Sequence, residues 1–389
     1  MMSTGLSTNF HLDKISGLSR AGKMSTPHGE VLTPAFMPVA TQASVKAISP
    51  EEAQDCGSQI LLSNAYHLAL RPGVELVSQF GGLHNFMGWD RPILTDSGGF
   101  QVYSLGRTRQ ITEDGVNFKS HIDGSTMFVS PEIAIRNQEM LGSDIAMAFD
   151  ECIGFEANPA DTKEAMERTH RWAERCLSAR SRTDQAVFGI VQGGHSPSLR
   201  KQSISAITKL PFEGFAIGGL GVGETKLEMY KMIELVSPRL PADKPRYLMG
   251  VGSPEDLINA VSFGIDLFDC ALPTRVARNG SLFRRDGRHN ITSSQYRSVT
   301  GPIDAECDCF ACLNFSVSYL HHLFKSRELL GYRLASLHNL RFYHKLMEQI
   351  RVAILQDKFE EFRERFLQQF KPANEKARLN QRKAIEARR

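Results

Sequence analysis

Residues 264–275 read GIDLFDCALPTR, the last of eight similar stretches in the chain. The run GIDLF is typical of a buried strand, and Asp269, Cys270, Pro273 and Arg275 follow it closely. A strand that is apolar on both faces indicates a parallel sheet covered by helices. The aspartate at its end is therefore either a helix cap or a group that carries chemistry.

Seven apolar runs precede this one, and polar segments typical of helices, such as residues 49–57 and 160–181, separate them. Eight strand and helix units in alternation predict an α/β protein with a (β/α)8 TIM barrel. We expect the polar residues at the strand ends to meet at one mouth of that barrel. The seven runs are PAFMPVAT (34–41), QILLSNAYH (59–67), PILTDSGG (92–99), DIAMAFDE (144–151), AVFGIVQGG (186–194), GFAIGGLG (214–221) and RYLMGVG (246–252).

The composition changes after the eighth run. The sequence predicts barrel strands and helices in residues 1–275, Arg-rich hairpins with an inserted zinc-binding subdomain in 276–340, and barrel-closing helices with a basic tail in 341–389. A doubly wound nucleotide-binding fold is the alternative architecture. Its glycine pattern is matched only in part by GGLGVGE at 218–224, which follows the sixth run instead of the first.

Composition and charge narrow the class of protein. The chain has 389 residues, 41% of them hydrophobic, and a net charge of +3. Its apolar runs are shorter than a membrane span, and its first residues show no signal-peptide pattern, so we expect a cytoplasmic protein without membrane contact. The basic tail, residues 371–389, carries seven Lys and Arg against two Glu. A polyanionic partner would therefore meet local patches of positive charge.

Three cysteines lie close together in the sequence CDCFAC. Cys307, Cys309 and Cys312 form a C-x-C-x2-C motif, and several histidines follow, of which we select His338 as a fourth ligand. Three thiolates and one imidazole are a typical tetrahedral zinc set with no open position. We therefore expect one structural zinc ion, and the alternative is a group of unliganded thiols.

Two aspartates follow predicted strands at the expected barrel mouth. Asp96 and Asp269 could act as nucleophile and general acid or base, as paired carboxylates do in retaining glycoside chemistry. The alternative is that each caps the next helix. Asp150 and Gln192 offer acceptors and donors that suit the edge of a purine. Arginines follow Asp269 with aromatic residues between them, a pattern typical of contacts to RNA or of a solvated loop: Arg275, Arg278, Phe283, Arg284, Arg285, Arg288, Tyr296 and Arg297.

Seven motifs in this order resemble the tRNA-guanine transglycosylases over nearly the whole chain. They are DSGGFQ, FDEC, GIVQGG, AIGGL, YLMGVG, FDC-LPTR-ARNG and C-x-C-x2-C with the distant His338. The resemblance implies a TIM barrel with a zinc subdomain and no organic cofactor. It also implies an enzyme that replaces guanine at the anticodon wobble position by a 7-deazaguanine without breaking the RNA chain.

The resemblance also assigns roles to residues. It implies that Asp269 attacks the ribose C1′ as nucleophile, that Asp96 acts as general base on the incoming base, and that Tyr247 and Met249 cover the two faces of that base. The implied substrate-binding residues are Asp96, Ser97, Gly98, Gly99, Phe100, Asp150, Gln192, Gly219, Leu220, Tyr247 and Met249. The implied RNA contacts are Gly250, Val251, Gly252, Ser253, Pro254, Glu255, Asp256, Thr274, Arg275, Val276, Ala277 and Arg278.

The expected substrates are tRNAs for Asp, Asn, His and Tyr, which carry a GUN anticodon. Cys152 and Val222 resemble the bacterial members, which take 7-aminomethyl-7-deazaguanine (preQ1), whereas Gly221 stands where many of them have Ala or Ser. Queuine as incoming base, a noncatalytic tRNA-binding partner subunit and a nucleoside hydrolase are the alternatives. The resemblance further implies a homodimer, with Phe315, Tyr319 and His322 at candidate interface positions; ordinary helix packing is the alternative for these three residues.

Overall fold

The structure is a computed structural model that describes residues 8–104 and 109–375. Its strands are β1 (Asn9–Ser16), β2 (Ser19–Thr26), β3 (Gly29–Thr33), β4 (Ala35–Met37), β5 (Val39–Ala40), β6 (Leu61–Asn64), β7 (Ile93–Asp96), β8 (Arg109–Ile111), β9 (Val116–Lys119), β10 (Thr126–Val129), β11 (Ile145–Met147), β12 (Ala186–Val191), β13 (Gly214–Ile217), β14 (Arg246–Leu248), β15 (Leu267–Asp269), β16 (Ser281–Arg284) and β17 (Gly287–Asn290).

The helices alternate with these strands through most of the chain. They are α1 (Pro50–Asp55), α2 (Ala65–Leu70), α3 (Val74–Gln79), α4 (Leu83–Met87), α5 (Gly99–Ser104), α6 (Pro131–Leu141), α7 (Pro159–Ala179), α8 (Pro197–Ile207), α9 (Lys226–Val236), α10 (Pro254–Ser262), α11 (Leu272–Arg278), α12 (Phe310–Asn314), α13 (Val317–Lys325), α14 (Leu329–Leu355) and α15 (Phe359–Gln369). No helix within the described ranges has the length and apolar character that crossing a bilayer requires.

The eight apolar runs form one parallel barrel, which confirms the predicted TIM fold. The strand order is β4-β15-β14-β13-β12-β11-β7-β6-β5. The first run is interrupted at Pro38, whose carbonyl oxygen accepts a hydrogen bond from Leu62 N at 3.0 Å. As a result β4 pairs with β15 while β5 pairs with β6, and the first run closes the barrel.

The barrel interior is filled by side chains that alternate along the strands. Met37, Leu62, Met147, Phe188 and Tyr247 belong to one buried apolar cluster. Burying an aliphatic or aromatic side chain of this size contributes about 2 to 3 kcal/mol each, so the interior is a packed core and not a channel.

A sheet that the sequence analysis did not predict covers the N-terminal end of the barrel. It has the order β1-β2-β3, and Met24 and Val31 from it join the apolar cluster of the barrel interior. The opposite end, where the strands terminate, is left as the mouth. A second antiparallel sheet, β10-β9-β8, was also not predicted and lies in the segment between β7 and β11.

The division into three parts remains a proposal, and its boundaries fall within helices. Residue 275 lies in α11 and residue 340 lies in α14. Helix α14 packs against the barrel strands and also carries His338 of the cysteine cluster, so the predicted subdomain and the barrel share this helix. The last part of the basic tail, residues 376–389, lies outside the described residues.

Candidate active site at the barrel mouth

Asp269 is the last residue of β15, and the barrel places it at the mouth. Its Oδ1 accepts hydrogen bonds from the Tyr247 hydroxyl at 2.6 Å and from Gly250 N at 2.7 Å. Among the described residues, none donates a hydrogen bond to its Oδ2. Burial raises the pKa of Asp269, although these two hydrogen bonds act in the opposite direction. The carboxylate is thus fixed in position through one of its two oxygens.

Asp96 is the last residue of β7, and both of its carboxylate oxygens accept hydrogen bonds. Oδ1 accepts from Ala65 N at 2.9 Å, and Oδ2 accepts from the side chains of Asn64 and Gln101. Burial raises the pKa of Asp96 to about 6, and the charge of nearby Asp269 adds to this increase. A carboxyl group with such a pKa can exchange a proton near neutral pH.

Asp150 and Gln192 come from neighbouring strands and contact each other. Gln192 donates from Nε2 to Oδ2 of Asp150 at 2.7 Å, and Ser97 donates to Oδ1 at 3.0 Å. Both residues are nearly completely buried, and burial raises the pKa of Asp150 to about 6. Neutral donors therefore hold this carboxylate. Together, Ser97, Asp150 and Gln192 form a group of polar side chains at the mouth.

Glycines beside these polar side chains allow the backbone to approach closely. A Cβ atom at Gly99 would lie 2.5 Å from both Oδ1 and the carbonyl oxygen of Asp150, and one at Gly219 would lie 2.6 Å from Oε1 of Gln192. Gly219 also has a φ of +66°, which side chains rarely adopt. Larger residues at these two positions would displace the polar groups of the site.

Two charged residues that the sequence analysis did not single out hold the loop after β13. Arg200 is fully buried and donates to the carbonyl oxygens of Gly218 and Val191, both at 2.8 Å. Glu224 accepts from Gly221 N and from Val222 N on the other side of the same loop. The role of Arg200 could not be read from spacing, because its contact with Gly218 depends on how the first turn of helix α8 packs against the loop after β13.

Tyr247 does not lie where the resemblance placed it. Only 1% of its surface is exposed, its ring packs inside the barrel, and its hydroxyl holds Asp269. A ring enclosed in this way has no free face for a planar base, so the expected sandwich of Tyr247 and Met249 does not fit this geometry. Met249 is partly exposed, and Phe100, the third residue after Ser97, is 46% exposed.

The predicted RNA contacts divide into surface and buried groups. Gly250 and Arg275 are exposed, and Ser253 and Arg278 are partly exposed. The other residues are buried and can only support the surface ones: Val251, Gly252, Pro254, Glu255, Asp256, Thr274, Val276 and Ala277. The backbone around Gly252 is packed so tightly that a Cβ there would lie 2.2 Å from Cβ of Cys270.

The four residues selected as metal ligands converge in the structure. The Sγ atoms of Cys307, Cys309 and Cys312 lie 3.7, 3.7 and 3.3 Å from Nδ1 of His338. Ligand atoms on one tetrahedral ion with bonds of 2.0 to 2.3 Å are separated by about 3.6 Å, so the cluster fits such an ion. The other ring nitrogen, Nε2 of His338, lies 2.7 Å from the carbonyl oxygen of Phe283, which leaves Nδ1 for a metal.

The larger cavity is not at the mouth. It has a volume of about 330 Å³ and lies between the cysteine cluster and helices α14 and α15, with Cys307, His338, Phe342 and Phe366 in its walls. A much smaller recess contains Gly99, Asp150 and Cys152. We place the site beside the smaller recess, because Asp150, a buried carboxylate with a raised pKa, lines it.

The fold and the mouth define a class of protein, a (β/α)8-barrel enzyme with buried carboxylates at the ends of its strands. A family model described as queuine tRNA-ribosyltransferase matches residues 14–372. The chain belongs to this family, which confirms the family and the enzyme class predicted from the sequence.

Curated relatives agree with the family match. A queuine tRNA-ribosyltransferase of Herpetosiphon aurantiacus is 56% identical over 378 residues, which cover 95% of this chain and 96% of the relative. One from Dehalococcoides mccartyi is 51% identical over 375 residues, or 96% of both chains. One from Desulforamulus reducens is 54% identical over 352 residues, which cover 90% of this chain and 95% of the relative.

Proposed function

We propose that the protein is a tRNA-guanine transglycosylase that exchanges guanine at the wobble position of GUN anticodons for preQ1, a step of queuosine biosynthesis. The geometry of Asp269 is the observation that carries this proposal. One oxygen of its carboxylate is held by Tyr247 and Gly250, and the other carries no hydrogen bond from the described residues. A fixed carboxylate of this kind is suited to attack a sugar carbon.

Two displacements at the ribose C1′ account for the exchange. Asp269 forms a bond to C1′ as the bond from C1′ to N9 of guanine breaks, and Asp96 gives the departing base a proton. The incoming base then returns a proton to Asp96 and attacks C1′, which releases Asp269. The pKa of Asp96, about 6, suits both transfers, and two inversions retain the configuration of the sugar.

The polar groups around Asp150 are proposed to read the base. Gln192 and Asp150 offer a donor and an acceptor side by side, and the backbone of Gly219 and Leu220 adds further groups. We propose that Phe100 and Met249 cover the faces of the base and that Tyr247 positions Asp269. The target nucleotide must leave its stack to reach this site, as in other enzymes that act on bases.

The surface beside Asp269 is proposed to bind the RNA strand. Arg275 and Arg278 follow the nucleophile on α11, and Gly250 and Ser253 lie on the loop that donates to its carboxylate. Backbone contacts of this kind position a nucleic acid without reading its sequence. The buried neighbours of these residues hold α10 and α11 in place.

We propose that Cys307, Cys309, Cys312 and His338 hold one structural zinc ion. When bound, the ion supplies cross-linking between the α12 region and α14, and it has no part in the chemical step. Elemental analysis should find about one zinc per chain, and Cys309→Ser should lower that ratio along with the melting temperature. A ratio near zero in protein purified with added zinc would contradict the assignment.

A homodimer is proposed on the apolar surface of α12 and α13. Phe315 and Tyr319 stack at 5.4 Å between ring centroids, Tyr319 is 38% exposed, and His322 is exposed beside them. Phe310 and Leu313 extend this surface and are more than half exposed. A cytoplasmic location belongs to the same proposal, because tRNA is the proposed substrate.

The first test is exchange of labelled guanine into unmodified tRNA with a GUN anticodon. We expect incorporation by the wild type and none by Asp269→Asn, which keeps the shape of the side chain and the fold. A covalent adduct with tRNA, visible on a denaturing gel, should form only with the wild type. Binding of tRNA without exchange by the wild type would instead support the noncatalytic partner subunit.

The identity of the incoming base is tested by competition. We expect preQ1 to compete with labelled guanine better than queuine, because Cys152 is buried and lines the recess beside Asp150, and Val222 is buried in the loop after β13. Gly221 leaves more room, since a Cβ there would meet only Val251 at 3.7 Å. Stronger competition by queuine would replace preQ1 in the proposal and leave the mechanism unchanged.

A further inference from the structure

Three aromatic rings lie together beside Asp96, and the proposed reaction gives them no role. They belong to Tyr66, His67 and His121, which we call the aromatic cluster. Ala65, the first residue of α2, donates from its backbone N to Oδ1 of Asp96 at 2.9 Å, and Tyr66 and His67 follow it directly. Because the helices of a barrel begin at the carboxyl ends of its strands, this part of the cluster lies at the mouth.

The hairpin β9-β10 supplies the third ring, since His121 lies in its turn. The Tyr66 hydroxyl and Nδ1 of His121 are 3.1 Å apart, and the two rings stack with centroids 5.8 Å apart and an interplanar angle of 22°. His67 lies edge-on to both rings, with its centroid 5.1 Å from that of Tyr66 and 5.4 Å from that of His121. Two distant parts of the chain thus meet in one group of rings.

The aromatic cluster is anchored on its inner side and open on its outer side. Tyr66 is 7% exposed, and its ring contacts the buried ring of Phe118 at a centroid distance of 5.4 Å. His67 is partly exposed and His121 is exposed. Burial lowers the pKa of His67, and the neighbouring His121 and Lys46 add to this decrease, which favours the neutral ring. The cluster therefore presents a supported aromatic surface at the mouth.

We infer that the aromatic cluster stacks on the base of a nucleotide adjacent to the target guanosine in the anticodon loop. This inference rests on the proposed function. When the target base leaves its stack, a neighbouring base loses a stacking partner, and an aromatic side chain can take that partner's place. The cluster begins one residue after the backbone N that binds Asp96, so it lies next to the position of the exchanged base.

Two substitutions of His121 separate stacking on RNA from support of the hairpin. His121→Phe keeps a ring but cannot bond the Tyr66 hydroxyl, whereas His121→Asn keeps a polar group that can bond this hydroxyl but has no ring. We expect Kd for unmodified tRNA to rise about tenfold in His121→Asn and to stay within about twofold of the wild type in His121→Phe. His11→Asn is the matched control and should not change Kd, because the His11 side chain is 76% exposed on β1, at the far end of the barrel.

Salt dependence distinguishes stacking from contacts to phosphates. Kd is measured by fluorescence anisotropy between about 50 and 300 mM salt at pH 8, which is above the ordinary pKa of imidazole. The slope of log affinity against log salt concentration should stay the same in His121→Asn, because stacking releases no counterions. Arg275→Ser, which removes a proposed phosphate contact, should instead lower this slope by about 0.7 to 0.9.

An abasic RNA shows whether the contact is made to a base. Two anticodon stem-loop RNAs are compared with the intact one, with an abasic ribose immediately before or immediately after the target nucleotide. One of them should bind the wild type about tenfold more weakly than the intact RNA. With that RNA, His121→Asn should cause no further loss of affinity, because the base that the ring contacts is already missing.

The possible results are distinguishable. Loss of the His121→Asn effect on one abasic RNA supports the inference. An unchanged Kd in His121→Asn overturns it, and so does the same loss with intact and abasic RNA. Weaker binding by His121→Phe alone also overturns it, since the bond to Tyr66 would then only support the hairpin. These three results leave the proposed function intact when the wild type exchanges guanine. A wild type that neither binds tRNA nor exchanges guanine overturns both.

Discussion

Strand β11 lies between two buried aspartates whose pKa values are shifted in opposite directions. Asp144 directly precedes the strand and is 2% exposed, while Asp150 follows it at the mouth and is 6% exposed. Burial alone would raise the pKa of both. Hydrogen bonds from His28 and His84 nevertheless lower the pKa of Asp144 to about 2, whereas the pKa of Asp150 is raised to about 6.

The partners explain this difference. Two imidazoles contact Asp144 at 2.7 and 3.2 Å, whereas Asp150 accepts hydrogen bonds from the neutral side chains of Ser97 and Gln192. A cationic partner stabilises the ionised form, and a neutral donor compensates burial only in part. The carboxylate at the far end of the barrel is therefore stabilised in its ionised form, whereas the carboxylate of Asp150 at the mouth has a pKa of about 6.

Strand β15 repeats the arrangement of partners. Asp266 precedes it and lies 3.2 Å from Nε of the buried Arg20, while Asp269 ends it and is held by Tyr247 and Gly250. Burial still raises the pKa of Asp266 to about 6 against the opposing charge of Arg20. The contrast in acidity is thus specific to β11, and the contrast between cationic and neutral partners holds for both strands.

Asp150→Asn should have the largest effect and should act on catalysis. A carboxylate accepts hydrogen bonds at both of its oxygens, whereas an amide accepts at only one atom. A donor on the base or on Gln192 would therefore be left unpaired in a buried site. We expect kcat/KM for the incoming base to fall about 1,000-fold, measured by guanine exchange. A loss of less than tenfold would remove Asp150 from base recognition.

Asp144→Asn, at the other end of the same strand, should act on stability. Removing one member of a buried charged group costs about 3 kcal/mol, because the two histidines lose their common partner. Urea unfolding at pH 7 measures this loss, and the folded fraction should keep its kcat. Asp184→Asn is the matched control. Asp184 forms an ion pair with Arg182, but its side chain is 43% exposed, so this substitution should lower the free energy of unfolding by less than about 1 kcal/mol. Equal losses in both variants would contradict the distinction.

The barrel could be predicted because its signal is local. Eight apolar runs with polar ends give the number of strands. Their alternation with helical segments indicates a parallel sheet, and this inference does not require the register between neighbouring strands. Strands β1 to β3 were not predicted, since β1 alternates between exposed and partly exposed residues and gives no apolar run. Their role in covering the barrel depends on contacts that are distant in the sequence.

Only the site residues that directly follow predicted strands could be predicted from the sequence. Asp96, Asp150, Gln192 and Asp269 could be selected from their positions at the ends of the runs, but the sequence does not show that the two aspartates of DIAMAFDE differ in pKa. Their partners decide, and His28 lies 116 residues from Asp144. Helix-borne groups such as Arg200 also gave no signal, because one buried arginine in a polar helix looks like any exposed one.

The acidity of Asp150 predicts a stability effect opposite to that of Asp144. The pKa of Asp150 in the folded protein, about 6, lies above its ordinary value of 3.8, so the folded state disfavours its charged form. The loss of folding stability caused by this buried charge is absent below about pH 4, grows between pH 4 and 6, and is complete above pH 6. Asp150→Asn should therefore be as stable as the wild type at pH 4 and about 3 kcal/mol more stable at pH 8, as measured by urea unfolding. The same stability difference at both values of pH would argue against a raised pKa.

The neutral donors around Asp96 should control the pH dependence of the reaction, and this is the smallest of the expected effects. Gln101 donates to Oδ2 at 2.8 Å and stabilises the carboxylate, so Gln101→Met should raise the pKa of Asp96 above its present value of about 6. Because the incoming base gives its proton to ionised Asp96, kcat/KM for that base should fall at acid pH. The acid limb of this profile should move upward by about one pH unit in the variant. His28→Gln, which changes a partner of Asp144 at the far end, should leave the limb in place. A limb that moves in His28→Gln but not in Gln101→Met would show that charge at the far end, and not the neutral donors of the mouth, controls the proton transfer.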